Sequence, residues 1–342
     1  MRWFGHSSGM TASSAHPSAE LREFERWEQR PFTTETALSM GVKKRDLYGP
    51  RYRQVTHGIF VATAIPDTIV VRARAARLVL PKDAVFSHET AGRLLGGPVP
   101  DTPIVHAAVG RQCRRMAVNL QLHRYTYEPD AMWRHGLPVT TPAQTLIHLS
   151  VKVGLLPLVA FGDAMVSREL VTLDELRRSV DDWSGHGAAR AAYAMRYVRR
   201  GVDSAPESHL RLLFVLAGLP EPQVNYVDVG EDGRIIRRVE LAFRDTPKRG
   251  PGGESHLGFE YDGWQYHSSP EQRAHDMTRR EALREQGWHI EVFDRDDLYR
   301  ATETVLLRAC LLLTQFGIAV PSRLNDAWRR HFAVPTWVKD PL

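Results

Sequence analysis

The chain has 342 residues, of which 43% are hydrophobic and 25% are charged. This length suits two or three domains, and the composition is that of an ordinary soluble globular protein. No apolar run approaches the 18 residues of a membrane-spanning helix, so a transmembrane protein is excluded and no membrane partner is expected. The net charge of +5 permits a polyanionic partner without requiring one.

The cysteine count and the composition of the first residues indicate the cellular compartment in which we expect the protein. Cys113 and Cys310 are the two cysteines of the chain, so it has neither a disulfide framework nor a four-ligand zinc site. The first ten residues lack the hydrophobic region of a signal peptide. We therefore expect a reducing, cytoplasmic location.

The front of the chain predicts a winged helix-turn-helix. Residues 1–17 are rich in Ser, Gly and Ala and are expected to be a disordered lead-in. From residue 18 onward, the pattern predicts a first helix, a short helix over 34–40, a glycine turn and a basic helix that begins at Val42. A glycine-broken β pattern over 51–61 predicts a hairpin. This order over residues 18–62 is typical of the winged helix-turn-helix.

The middle region, residues 63–200, is expected to be rich in helices and to contain a small sheet. Thr141 and Pro142 form a strong helix start, with Thr141 as the cap and Pro142 at the first helical position. Helices are predicted at 69–80, 90–95, 142–148, 155–166, 173–180 and 188–199, and strands at 104–108 and 120–127.

The last third of the chain predicts an α-β-β-β-α-β domain over 201–316. Its elements are expected at 204–217, 224–229, 234–243, 257–262, 271–286 and 288–293, followed by a helix at 302–314. The tail, residues 317–342, contains Trp328, Phe332 and Trp337 and is expected to pack back on the core. The predicted fold class is therefore α/β, or α+β, with several domains.

Acidic residues within the predicted strands are the strongest chemical signal. Glu260 and Asp262 are two positions apart, so one face of a strand carries both, and Glu240 lies on the preceding strand. Acids within apolar strands are costly unless they are paired or bind a cation. With Glu207 nearby, these oxygen donors could hold Mg²⁺ and its waters. Ion pairs with arginines of the same strand, on an exposed sheet face, are equally open on spacing alone.

Other motifs with recognised chemistry give no further site: Gly5-His6-Ser7-Ser8-Gly9 matches the nucleophile pattern G-x-S-x-G but has no preceding strand to form the strained elbow. The chain has no phosphate-binding glycine loop that ends in Lys-Ser or Lys-Thr, and no dinucleotide-binding fingerprint. His88-Glu89 lacks the second histidine of the zinc-protease motif H-E-x-x-H. His267 alone is more typical of a structural residue than of a catalytic one.

Six separated elements between residues 200 and 316 resemble the very-short-patch-repair-like domain of the PD-(D/E)XK nuclease superfamily. They are Pro206-Glu207, Val239-Glu240-Leu241, Phe259-Glu260-Tyr261-Asp262-Gly263, His267, Asp276-Met277-Thr278-Arg279 and Gly287-Trp288. The resemblance implies a divalent ion, Mg²⁺ or Mn²⁺, that activates water against a DNA phosphodiester. It assigns Glu240 and Glu260 as metal ligands, Asp262 as a third ligand or water-orienting group, Glu207 as a supporting acid, His267 as a general acid or base, and Arg279 as a phosphate contact or structural partner.

The chain departs from that pattern in two places. The family usually has Asp where this chain has Glu240, and Asp262 stands where the superfamily has a lysine. Without the lysine, the metal alone must lower the pKa of the attacking water. A nuclease-like domain that does not cleave is therefore the alternative.

The front of the chain resembles the winged-helix region of AbiEi-type, or type IV, antitoxins. The resemblance is carried by Pro31-Phe32-Thr33-Thr34, Ala37-Leu38-Ser39-Met40-Gly41-Val42 and His57-Gly58-Ile59-Phe60-Val61, and it continues in Ser87-His88-Glu89-Thr90-Ala91-Gly92-Arg93-Leu94-Leu95-Gly96 and Gly136-Leu137-Pro138-Val139-Thr140-Thr141-Pro142. Residues 31–60 contain five basic and two acidic residues, a charge of +3 that favours phosphate contact. The expected DNA contacts are Lys43, Lys44 and Arg45 in a recognition helix over about 43–49, and Arg51 and Arg53 in the wing.

Two functions follow from these observations. The first is a DNA-binding, divalent-metal-dependent endonuclease that acts on double-stranded DNA. The second is a non-cleaving DNA-binding regulator or type IV antitoxin-like protein with an inactive nuclease-like domain. A protein partner or a homodimer remains open.

Overall fold

The protein is a mixed α/β molecule with three sheets. A computed structural model describes residues 29–110, 119–229, 235–263 and 281–332. The helix expected from residue 18 and most of the helix expected at 271–286 lie outside these ranges, although residues 281–285 are helical. In the described part of the chain, no helix has the length and apolar character needed to cross a membrane.

The front unit is a three-stranded antiparallel sheet with two short helices. Its elements are β1 (Phe32–Thr33), α1 (Thr34–Ser39), a 3-10 helix (Lys44–Tyr48), β2 (Tyr52–Thr56) and β3 (Ile59–Ala62), and the sheet order is β1-β3-β2. The predicted short helix and hairpin are confirmed. The basic helix expected over 43–49 is instead a five-residue 3-10 helix. Gly49 and Pro50 follow it, and proline disfavours the helical conformation of the residue before it.

A five-stranded sheet and its helices form the middle region. The elements are α2 (Ile69–Arg77), β4 (Val85–Phe86), α3 (His88–Leu94), β5 (Val105–Val109), β6 (Leu120–Arg124), β7 (Ala131–Arg134), β8 (Leu137–Thr140), α4 (Pro142–Ser150), α5 (Leu155–Ser167), α6 (Leu173–Asp181) and α7 (Ala188–Met195). The sheet order is β6-β5-β4-β8-β7. The cap at Thr141 is confirmed, since its hydroxyl accepts a hydrogen bond from the Gln144 N–H at 3.3 Å. The helix expected to reach residue 199 ends at Met195.

The last third forms a four-stranded sheet covered by helices. Its elements are α8 (Ala205–Ala217), β9 (Gln223–Val229), β10 (Ile235–Phe243), β11 (His256–Tyr261), β12 (Trp288–Phe293), α9 (Arg295–Arg300), α10 (Thr302–Gln315) and α11 (Arg329–Phe332). The order β12-β11-β10-β9 has one parallel pair, β11 with β12. The predicted helix start at Ser204 and its end at Gly218 are confirmed; Gly218 has a φ of 84°, which glycine adopts at little cost.

One large core joins the middle region to the last third. Helix α8 packs against α5 on one side and against β10 and β11 on the other. The rings of Phe214 and of Phe259 on β11 pack edge to face, with 5.1 Å between their centres. Trp328 and Phe332 are also buried in this core, and Trp337 lies outside the described residues. The front unit has a separate cluster centred on Phe32, Tyr52 and Phe60.

Candidate metal and nucleic-acid sites

Glu207 lies in the first turn of α8, where capping fixes its position. The hydroxyl of Ser204 accepts a hydrogen bond from the Glu207 N–H at 3.2 Å. The Glu207 carboxylate accepts hydrogen bonds from the Asp203 N–H and the Asn225 side-chain amide, both at 3.1 Å. The residue is only 6% exposed. Glu207 is therefore a buried carboxylate held at the junction of α8 and β9.

Glu240 and Glu260 meet where two strands stop pairing. The antiparallel pairing of β10 with β11 runs from Phe243 and Leu257 to Leu241 and Phe259. Glu240 and Glu260 are the next residues of the two strands. The Glu240 carboxylate accepts the Tyr261 N–H at 2.8 Å, so a side chain takes the place of a backbone acceptor there. Glu260 is 4% exposed, which rules out a solvated position on an open sheet face.

Glu207 and Glu260 interact electrostatically across the junction of α8 and the sheet. Burial raises the pKa of Glu207, and the negative charge of Glu260 adds to the rise, while hydrogen bonds from Ser204 and Asn225 oppose it. A cation bound beside both carboxylates would relieve their repulsion. Among the described residues, Arg238 contributes positive charge nearby: it forms an ion pair with Asp203 and donates to Asn225 Oδ1 at 2.9 Å.

The structure brings some of the predicted ligands into one region. Asp262 lies one residue past the end of β11, and its N–H donates to the Phe293 carbonyl at 2.8 Å. His267 and Arg279 lie outside the described residues. In the described ranges, the acids do not form a set of three ligand atoms within 4.8 Å of one another. Mg²⁺ commonly binds through one or two carboxylates, waters and substrate phosphates, so this donor set fits such an ion.

Four of the five expected DNA-contacting residues are exposed at one end of the front unit. They are Lys43, Lys44, Arg45 and Arg51. Arg45 lies 3.4 Å from Asp46, a surface pair that solvent screens strongly. The guanidinium of Arg51 lies 5.5 Å from the centre of the Tyr52 ring. These four residues form what we call the basic turn, a local concentration of positive charge of the kind that favours phosphate contact.

The guanidinium of Arg53 is half-buried and is bound within the fold. It donates to the Ile65 carbonyl at 3.2 Å and lies 3.6 Å from the Asp67 carboxylate. It also lines a cavity of about 150 Å³ between the hairpin and α2. Arg53 therefore connects the hairpin, through a hydrogen bond and an ion pair, to the segment that follows it.

A second cluster of metal-ligating residues is not expected from the sequence. His88, His106 and His123 each place a ring nitrogen within 4.8 Å of those of the other two. They lie on α3, β5 and β6, 18 and 17 positions apart along the chain. Metal-binding sequence motifs include ligands only a few residues apart, so the sequence alone does not show that the fold brings these three histidines together. Of the three, only His88 has a signal in the sequence, the pair His88-Glu89.

No family model matches this chain. Two curated proteins from Mycobacterium tuberculosis, one from strain CDC 1551 / Oshkosh and one from strain ATCC 25618 / H37Rv, are 26% identical to it over 248 residues. Each is described as an uncharacterized protein, and the similarity covers 72% of this chain and 87% of each relative. The similar stretch is longer than the longest region predicted from the sequence, 63–200, so it spans more than one region.

Proposed function

We propose that this protein is a DNA-binding endonuclease that hydrolyses phosphodiester bonds with Mg²⁺ or Mn²⁺. The observation that carries the proposal is the buried pair of acids, Glu207 and Glu260, with Glu240 beside them at the end of the β10–β11 pairing. Burying carboxylates near one another is costly unless a cation or a proton compensates them. The resemblance to the very-short-patch-repair-like nucleases and to winged-helix antitoxins supplies the reaction and the DNA substrate.

The resemblance implies the roles of the acids, and their positions are compatible with those roles. Glu240 and Glu260 would hold the ion, and Asp262 at the end of β11 would bind it or orient a water. The metal supplies the Lewis acid that lowers the pKa of water and offsets charge on the scissile phosphate. Glu207, held by Ser204 and Asn225, supports the site from α8. The basic turn provides the charge that holds the duplex on the front unit.

Nicking of supercoiled plasmid by the full chain, with Mg²⁺ or Mn²⁺ and with EDTA, tests this proposal. Glu260→Gln removes one carboxylate charge and is expected to lower the nicking rate about 100-fold, a loss comparable with that of one hydrogen-bond donor that stabilises a transition state. Glu285→Gln changes an exposed acid of the same region and is the matched control. We expect it to nick at the wild-type rate.

DNA binding distinguishes the two functions if nicking is not seen. A wild-type protein that binds duplex in a salt-sensitive way, but cuts it with neither metal, contradicts the endonuclease proposal and supports the non-cleaving regulator. Nicking that is equal in wild type and Glu260→Gln points to a contaminating nuclease and likewise contradicts the proposed site.

A further inference from the structure

Three histidines from three elements of the middle region meet in one place. His88 is the first residue of α3, and His106 and His123 lie on the parallel neighbours β5 and β6. His88 is 2% exposed and His106 6% exposed. The His88 backbone has a φ of 52°, in the left-handed region that costs energy for a residue other than glycine. The fold therefore keeps a strained histidine inside a region where polar side chains are costly.

The ring nitrogens of His106 face a second histidine and an acid, whereas His88 Nδ1 lies 3.0 Å from Ser87 Oγ and His88 Nε2 lies 3.4 Å from the Tyr125 hydroxyl oxygen. His106 Nδ1 lies 2.9 Å from His123 Nε2, and the His88 ring stacks on the His123 ring with 3.7 Å between their centres. The other nitrogen of His106, Nε2, lies 3.5 Å from Glu89 Oε2. A histidine between a metal and a carboxylate is the usual outer arrangement of zinc sites, in which the acid orients the ring.

These rings are available as ligands because burial keeps them neutral. It lowers the pKa of His123 to about 3 and also lowers the pKa of His88 and of His106, although Glu89 opposes the shift of His106. A neutral imidazole has a free lone pair on one ring nitrogen. Glu89 Oε2 is buried, and within the described part of the chain it has no hydrogen-bond partner. The carboxylate thus lacks the donor that a metal-bound His106 would give it.

We propose that His88, His106 and His123 bind one divalent transition-metal ion of the zinc class, with Glu89 orienting His106. Imidazole ligands suit Zn²⁺, Cu²⁺ and Ni²⁺ and not Mg²⁺, so this ion is chemically distinct from the one proposed at the carboxylates. Three histidines leave a fourth position of a tetrahedral ion for water or another ligand.

To surround an ion, His106 and His123 must shift slightly, whereas His88 must rotate away from its contacts with Ser87 and Tyr125. Zn–N bonds of about 2.0–2.1 Å place tetrahedral ligands about 3.3 Å apart, so His106 and His123 must separate by roughly 0.4 Å. The ring that carries the proton between these two nitrogens moves it to its other nitrogen, so that both facing nitrogens can bind the ion. His88 must turn out of its stack on His123, and rotation about the second side-chain torsion of histidine has a broad energy profile. A cluster held only by hydrogen bonds, with no ion, is the competing description.

Zinc binding to the full chain, carrying no histidine tag and first stripped with EDTA, tests the site. Equilibrium dialysis against micromolar free Zn²⁺ in millimolar Mg²⁺, followed by metal analysis, is expected to give one zinc per chain. A Co²⁺ titration is expected to give visible ligand-field absorption of a tetrahedral site. A wild-type chain that retains no zinc overturns the proposal and leaves the hydrogen-bonded cluster.

Variants locate the ion and separate ligand loss from misfolding. His106→Gln and His123→Gln are expected to abolish zinc retention, and Glu89→Gln, which keeps all three ligands, to weaken it by about 10–100-fold. His209→Gln replaces another buried histidine, 6% exposed, in the last third of the chain and is the matched control. Glu260→Gln tests the carboxylate site in the same way. Retention lost in either of these last two variants, or kept in His106→Gln, overturns the assignment.

Discussion

Individual buried histidines make the stability of this protein depend on pH. Burial lowers the pKa of His148 to about 4, and it lowers that of His209 to about 4 as well. Both are ordinarily near 6.5 when unfolded. Between these values the unfolded chain binds more protons than the folded chain, so stability is complete above pH 6.5 and is lost as the pH falls toward 4.

For His209, the same reasoning predicts how steeply the free energy of unfolding changes with pH. In EDTA, the free energy of unfolding of the wild type is expected to fall between pH 6 and 5, and His209 contributes about 1.4 kcal/mol per pH unit to that slope. His209→Gln should remove this contribution, as followed by urea unfolding across the pH range. His186→Gln, at an exposed position, is the control. Equal slopes for wild type and His209→Gln would show that His209 is protonated in the folded state.

Replacing the buried Arg211 is expected to lower the stability of the protein strongly. The Arg211 side chain is 0% exposed and lies 3.1 Å from Asp163, itself 1% exposed, and it also donates to Glu221 at 2.9 Å. Arg211→Met leaves Asp163 buried without its cation, and we expect a loss of about 3–5 kcal/mol in the free energy of unfolding. Urea denaturation at pH 7 measures it.

Arg199 provides a matched comparison because it pairs with the same Glu221 at the surface. Arg199 Nη2 lies 2.9 Å from Glu221 Oε2, and both side chains are about one-third exposed. Arg199→Met is therefore expected to lower the free energy of unfolding by no more than about 1 kcal/mol. The Arg199 N–H still donates to Asp163 in this variant, since the substitution leaves the backbone unchanged. Similar losses for the two variants would mean that burial does not set the strength of the Arg211 pair.

At the scale of elements, the basic turn is expected to dominate the salt dependence of DNA binding. Replacing Lys43, Lys44 and Arg45 together by alanine should lower the magnitude of the slope of log K against log salt by about 3, since each phosphate contact contributes about 0.9. Fluorescence anisotropy with a labelled duplex at several salt concentrations measures this slope.

Arg53→Ala is the comparison for the basic turn. Because its guanidinium is bound to the Ile65 carbonyl and to Asp67, we expect this variant to keep the wild-type salt slope and to lose thermal stability instead. A slope reduced as much by Arg53→Ala as by the triple variant would show that Arg53 also contacts the duplex and would contradict its purely structural role.

The elements that could be predicted are those whose ends carry their own signals. The helix from Ser204 to Gly218 has a capping hydroxyl and a left-handed glycine, and the strand Trp288–Phe293 directly follows a turn with a left-handed glycine, Gly287. Strand β4 has only two residues, and its pairing with β5 and β8 comes from distant parts of the chain. Helix α9 depends on a reciprocal cap between Asp294 and Asp297 that resembles a surface acid run in sequence.

The candidate sites divide in the same way. The acids could be noticed because Glu240 and Glu260 interrupt apolar strands and Asp262 directly follows one, where an acid is conspicuous. The histidine cluster could not, because sheet pairing of β5 with β6 and the packing of α3 bring its members together. Arg53 looks like a fifth surface cation in sequence; only the approach of Ile65 and Asp67 distinguishes it.

For the whole molecule, the shared core makes the middle region part of the fold of the last third. Nearly every residue of α8 is buried, and the helix packs against both α5 and the sheet. A fragment of residues 201–342 would expose the α5-facing side of α8 to water, which costs about 25 cal/mol of folding free energy per Å² of apolar surface. It would also leave Arg211 without its partner Asp163. The region that resembles a nuclease is therefore expected to be unstable by itself.

Truncation separates the two cores of the protein. A chain of residues 63–342 keeps the shared core intact, since the front unit has its own cluster around Phe32, Tyr52 and Phe60. We expect this fragment to unfold cooperatively near the wild-type midpoint, and to retain zinc binding but to bind DNA more weakly. The fragment 201–342 is expected to show no cooperative transition by circular dichroism. A cooperative transition in that fragment would mean that the acids at α8 and the sheet are assembled without help from α5.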